Sequence, residues 1–137
     1  MQTRTYKTTA TIDLNLDVYG AEPNSETLKP VIVWIHGGAL IMGSRDRILE
    51  THLDGYTDAG FVVVSIDYRL APETKLPAIL EDVEDAIEWV RTTGSVEFNL
   101  DPARLAVIGH SAGGYLTLTT GHRISPAPKA LISYYGY

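Results

Sequence analysis

The feature that most constrains this chain is a set of short β-branched runs without polar alternation. They are Val31–Ile35, Val62–Ile66, Leu105–Ile108 and Ala130–Tyr134. A strand with one wet face alternates apolar and polar residues, whereas a strand that is apolar throughout is buried on both faces. Burial on both faces needs helices above and below the sheet, so the runs predict a mostly parallel sheet with flanking helices. The intervening segments agree. Ile79, Val83, Ala86, Ile87 and Val90 recur at helical spacing and predict a helix over about Pro77 to Arg91. Pro77 suits its first turn, and Gly94 follows as a stop. A weaker pattern predicts a helix from about Arg45 to Ala59, closed by Gly60, and a third begins at Ser111 and ends near Gly121 to Ile124.

The first twenty residues differ. Ile12, Leu14, Leu16 and Val18 alternate with polar neighbours, which predicts one or two antiparallel strands at the sheet edge. Ala21 to Pro30 reads as a polar loop. The expected fold class is therefore α/β in a single domain over residues 1–137, ending near a sixth strand.

Charge and composition remove several functions. A net charge of -6 and a pI of about 5.1 argue against nucleic acid or an anionic membrane surface as partner. The chain has no cysteine, which excludes disulfides, a thiol nucleophile and a thiolate metal site, and fits a cytoplasmic protein. The polar, threonine-rich stretch Met1 to Ala10 lacks the apolar core of a secretory signal. No apolar run approaches the roughly 20 residues that span a bilayer.

The chemistry is concentrated in Gly109-His110-Ser111-Ala112-Gly113-Gly114, which fits G-x-S-x-G. The motif follows the run Leu105–Ile108 and opens a helical segment. Small residues at 109 and 113 let strand and helix approach around a sharp turn. That turn would hold Ser111 strained with its hydroxyl exposed, at a helix N-terminus that favours developing negative charge. His36-Gly37-Gly38-Ala39 follows the run Val31–Ile35. Acyl transfer passes through a tetrahedral oxyanion, which preorganised backbone N–H groups stabilise. The candidate donors are Gly38 and Ala39, with Gly37 beside them, and Ala112 directly after the serine. Asp67-Tyr68-Arg69-Leu70-Ala71-Pro72-Glu73 follows the run Val62–Ile66. Its charges read as structural, with Arg69 pairing with Glu73 or with Asp82 on the next helix.

Taken in order, HGGA, DYRLAPE, LPAILEDVEDAIEWV and DPARLAVIGHSAGG resemble the hormone-sensitive-lipase-like branch of the α/β-hydrolases, from Pro30 to Tyr137. The resemblance implies hydrolysis of small carboxylic esters by a Ser–His–Asp triad, with no metal or cofactor. It also implies two departures. Ala39 stands where the family usually has a third glycine; its N–H is retained and the pocket is tighter by a methyl. The triad acid and histidine follow later strands in the family, so the chain is expected to be C-terminally truncated. Downstream of Ser111 there is no Asp or Glu, and the one histidine is His122. At 1.5 Å per helical residue His122 stands roughly 16 Å from Ser111, beyond the reach of a general base. His36 is expected to shape its loop, His110 to point away from the serine hydroxyl, and His52 to lie on a helix surface. Two readings follow. The chain is the nucleophile-bearing part of an esterase, or it is a non-catalytic half-domain that pairs, as a dimer or with a partner chain, through the open edge of its last strand.

Overall fold

The computed structural model describes residues 1–22 and 27–136. Residues 23–26, inside the expected Ala21–Pro30 loop, and Tyr137 lie outside the described residues. The strands are β1 (Gln2–Thr8), β2 (Asp13–Tyr19), β3 (Lys29–Ile35), β4 (Val62–Ile66), β5 (Leu100–His110) and β6 (Ala130–Tyr134). The helices are α1 (Glu50–Asp58), α2 (Leu76–Trp89), α3 (Ser95–Phe98) and α4 (Ala112–Arg123). Together the strands form one sheet in the order β1-β2-β4-β3-β5-β6. β1 and β2 enter antiparallel, and β4, β3, β5 and β6 run parallel. Both the α/β class and the antiparallel edge follow the sequence reading.

The parallel strands are buried as their composition requires. Every residue of β4 is buried, and Val31 to Ile35 of β3 is buried throughout. One face packs Val31, Val33, Ile35, Val62 and Val64 against Ile79, Val83, Ile87 and Val90 of the α2 segment and Leu116 of α4. Each such buried aliphatic side chain contributes roughly 1.5–3 kcal/mol. The other face places Ile32, Trp34, Val63 and Ile108 against Leu53 and Tyr56 of α1. No helix among the described residues is long and apolar enough to cross a membrane.

Several boundaries differ from the sequence reading. The expected Arg45–Ala59 helix is a 3₁₀ turn at Arg45–Arg47 followed by α1. Long-range polar contacts hold the first part: the Arg45 N–H donates to Asp67 Oδ1 at 2.9 Å, and its guanidinium donates to Asp67 Oδ2 at 2.6 Å. Gly94 does not stop the second helix. A π-helical stretch, Val90–Gly94, leads on into α3, and Asn99 ends it at φ 53°.

The Asp67–Glu73 loop is tied down by Asp82, which has no exposed surface. Arg69 donates to it through the backbone N–H at 3.1 Å, Nε at 2.7 Å and Nη2 at 2.7 Å, and Lys7 Nζ lies 2.8 Å away. Of the two expected partners, Arg69 takes Asp82. Burial raises the Asp82 carboxyl, but its hydrogen bonds from Arg69 and Lys7 outweigh that, and its pKa falls below the ordinary value. A depressed folded pKa gives stability that is present above the unfolded carboxylate range and lost as pH falls through the folded value. Asp82→Asn is expected to cost about 3 kcal/mol at pH 7. In urea melts at several pH values, the gap from the wild-type chain should shrink as pH drops below about 4.

Candidate active site

Ser111 sits between the end of β5 and the start of α4 with φ 53° and ψ −119°. No helical residue adopts these angles, so α4 begins at Ala112 rather than at Ser111. For a residue with a Cβ this backbone costs of order 1–3 kcal/mol and persists only where its surroundings impose it. Here they do. The Ser111 N–H donates to the Tyr134 carbonyl of β6 at 2.9 Å. A Cβ on Gly109 would stand 2.2 Å from the Gly113 carbonyl oxygen, and one on Gly113 would stand 2.2 Å from that of Ile35. Strand β5, helix α4 and the end of β3 therefore meet at distances only glycine permits.

The loop after β3 reaches the same point. A Cβ on Gly37 would lie 2.7 Å from the His110 carbonyl oxygen and 3.4 Å from Ser111 Cβ. Gly38, Ala39 and Leu40 have φ of 119°, 54° and 64°, a run of left-handed backbone that turns the chain back on itself. Its turn is closed by the Ile41 and Met42 N–H groups, each 3.0 Å from the Gly38 carbonyl. Among the described residues, no acceptor takes the N–H groups of Gly38, Ala39 or Ala112. The two separate glycine motifs thus converge on one serine.

The histidines divide clearly. His36 is 1% exposed, stacks on Tyr68 with ring centroids 4.1 Å apart, and donates from Nδ1 to the Gly37 carbonyl at 2.7 Å. Burial pushes its imidazole below the ordinary pKa. Tyr68 donates its hydroxyl to the His36 carbonyl at 2.9 Å, so both rings brace the loop. His122 lies exposed in the last turn of α4. His110 packs among Trp34, His52, Tyr134 and Tyr135, and burial, then the neighbouring His52, lower its pKa. His52 is the correction: it is not a free surface residue. It is half-buried, its ring centroid 5.7 Å from that of His110, with its Nδ1 buried and without a hydrogen-bond partner among the described residues. Asp67 accepts from Arg45 and gives its own carbonyl to the Tyr6 hydroxyl at 2.7 Å, a structural arrangement.

Beside the serine is a cavity of about 320 Å³, lined by Trp34, Gly37, Gly38, Met42, Arg47 and His110. Sequence reasoning missed Trp34, Met42 and Arg47 as wall residues. Trp34 carried only a strand signal, and Arg47 only a weak helical one. Among the described residues no cluster of three His, Asp or Glu side chains has the geometry of a metal site.

Comparison with known proteins places this geometry in context. The family described as BD-FAE matches residues 16–126. An esterase of Thermogutta terrifontis, solved with butyrate bound, is 26% identical with a TM-score of 0.80, covering 94% of this chain and 51% of that one. Esterase 2 of Thermogutta terrifontis phosphonylated by cyclosarin is 25% identical with a TM-score of 0.78, covering 93% and 49%. The non-reducing polyketide synthase pkbA of Emericella nidulans is 38% identical over 95% of this chain and 6% of its own length. The polyketide synthase ausA of Aspergillus calidoustus is 35% identical over 98% and 6%. The chain thus spans about half the length of these solved esterases and a small part of the synthases.

Proposed function

The chain belongs to the BD-FAE family of esterase-like α/β-hydrolase domains, and on that premise we propose that Ser111 is the acyl-accepting nucleophile in carboxylic-ester hydrolysis. The observation that carries the reading is the convergence of a strained serine, a helix N-terminus and the Gly37–Ala39 loop. Ser111 Oγ attacks the ester carbonyl carbon, forms the new C–O bond and gives its proton to a base. The N–H groups of Gly38, Ala39 and Ala112, with Gly37 beside them, hold the oxyanion. Collapse breaks the bond to the alcohol, which leaves with the proton. Water then adds to the acyl group, releasing the acid and restoring Ser111.

The base and its carboxylate belong, on this reading, to polypeptide beyond these 137 residues. Similarity to stretches of much longer polyketide synthases supports a domain that works within a larger protein. The 137-residue chain alone is then expected to hydrolyse p-nitrophenyl butyrate no faster than its Ser111→Ala variant. Turnover that disappears with that substitution would reveal a base among the histidines dismissed above. The decisive experiment reads the DNA after the Tyr137 codon and assays the continued polypeptide. A carboxylate and then a histidine, with Ser111-dependent turnover, are expected. A continued polypeptide whose turnover ignores Ser111 sinks the reading.

One observation favours a second reading, a non-catalytic module that pairs through β6. Ile132, Tyr134 and Tyr135 remain exposed on that last strand and just after it. Such edges template pairing with another chain. A dimer in sedimentation velocity, together with no ester turnover by the continued polypeptide, selects it.

A further inference from the structure

The cavity beside Ser111 has a wall chemistry that ester hydrolysis alone does not require. Trp34 is 2% exposed, and its Nε1–H is buried with no hydrogen-bond partner among the described residues. A buried donor without an acceptor costs about 1–3 kcal/mol, and native proteins keep few of them without a reason. Arg47 lines the same cavity and forms no ion pair among the described residues. The other six arginines, by contrast, donate their side chains to acceptors. Met42 and the His110 ring supply apolar and aromatic surface, and Gly37 and Gly38 join the cavity to the proposed oxyanion loop.

A neutral donor, a guanidinium and an aromatic wall together select an aromatic or apolar acid. Arginine matches the planar geometry of a carboxylate, and the unpartnered Trp34 N–H belongs to the same wall. We infer that this cavity binds a carboxylate carried by the substrate, so that the preferred ester is a half-ester or a carboxyl-bearing aryl ester. The inference deepens the reading of Ser111 as the acylated residue and rests on it for the direction in which the substrate lies.

Binding without chemistry keeps the two apart. The Ser111→Ala protein is titrated with benzoate while the two tryptophan indole N–H signals are followed by NMR. The Trp34 signal is expected to move saturably while that of Trp89 stays, and Arg47→Gln is expected to weaken binding about tenfold. Trp34→Phe, which keeps the ring and removes the donor, is read by isothermal calorimetry and should weaken it similarly. Benzamide, neutral and isosteric, should bind at least tenfold more weakly. A blocked glutamyl peptide probes the other source of carboxylate, a protein side chain, and should also bind more weakly than benzoate. Equal binding of benzamide, a Trp34 signal that does not move, or an Arg47→Gln variant with unchanged affinity overturns the inference. Tighter binding of the peptide reassigns the cavity to a protein carboxylate and overturns it equally. None of these outcomes depends on whether Ser111 is acylated.

Discussion

Ser111→Ala, made in the polypeptide continued past Tyr137, should lower kcat for p-nitrophenyl butyrate by on the order of 10⁴–10⁶-fold and change KM little. The size follows from the catalytic unit proposed for the residue. A nucleophile, its base and the oxyanion donors act together, so removing the nucleophile removes almost everything except binding and the hole. KM is spared because the Oγ is a small part of the surface that holds the ester. A companion measurement separates chemistry from folding. At φ 53° and ψ −119° both serine and alanine carry backbone strain that glycine does not. Ser111→Gly should therefore be as inactive as Ser111→Ala yet more stable by about 1 kcal/mol in denaturant melts. A protein that keeps its turnover without the hydroxyl, or in which glycine gives no gain over alanine, contradicts the assignment of a strained nucleophile.

The parts of this molecule readable in its sequence are those whose energetics are local. Val62 to Ile66 has no polar alternation and becomes a strand buried on both faces. The spacing from Ile79 to Val90 places one apolar stripe on the sheet, whatever happens at the helix end. The glycines of the serine turn were readable because their reason lies in the motif itself. Unreadable features depend on residues far away in the chain. The segment after Gly43 makes only a 3₁₀ turn at Arg45–Arg47 before α1, and Asp67, far away in the chain, holds the Arg45 backbone and side-chain donors there. His52 carries a surface pattern, and only the packing of α1 over β5 brings its ring to His110. The cavity wall is the extreme case. Trp34 comes from a strand and Arg47 from a turn, and no spacing rule links them.

Gly113→Val should prevent stable folding, and Gly113→Ala should destabilise by roughly 4 kcal/mol or more, at the far end of what single substitutions do. The reason is the identity of the neighbours. A Cβ at 113 would stand 2.2 Å from the Ile35 carbonyl oxygen and 2.6 Å from that of His36. Both are backbone atoms. Ile35 is fixed by its pairing to Ile66 and Gly109, so it cannot step aside as a side chain would. Relief requires α4 to slide away from β3, which would pull Ala112 and Ser111 off the Gly37–Ala39 loop. Gly114→Ala gives the control. Its nearest neighbour would be the Ser133 hydroxyl at 2.7 Å, a side-chain atom that can rotate away, followed by Gly136 backbone at 3.0 Å, a looser contact than either carbonyl at 113. Its cost should be smaller by at least 2 kcal/mol. Circular dichroism melts of the two alanine variants decide the matter: similar midpoints would mean that the contact between α4 and β3 is looser than these distances require, and with it the packing that holds Ser111 in place.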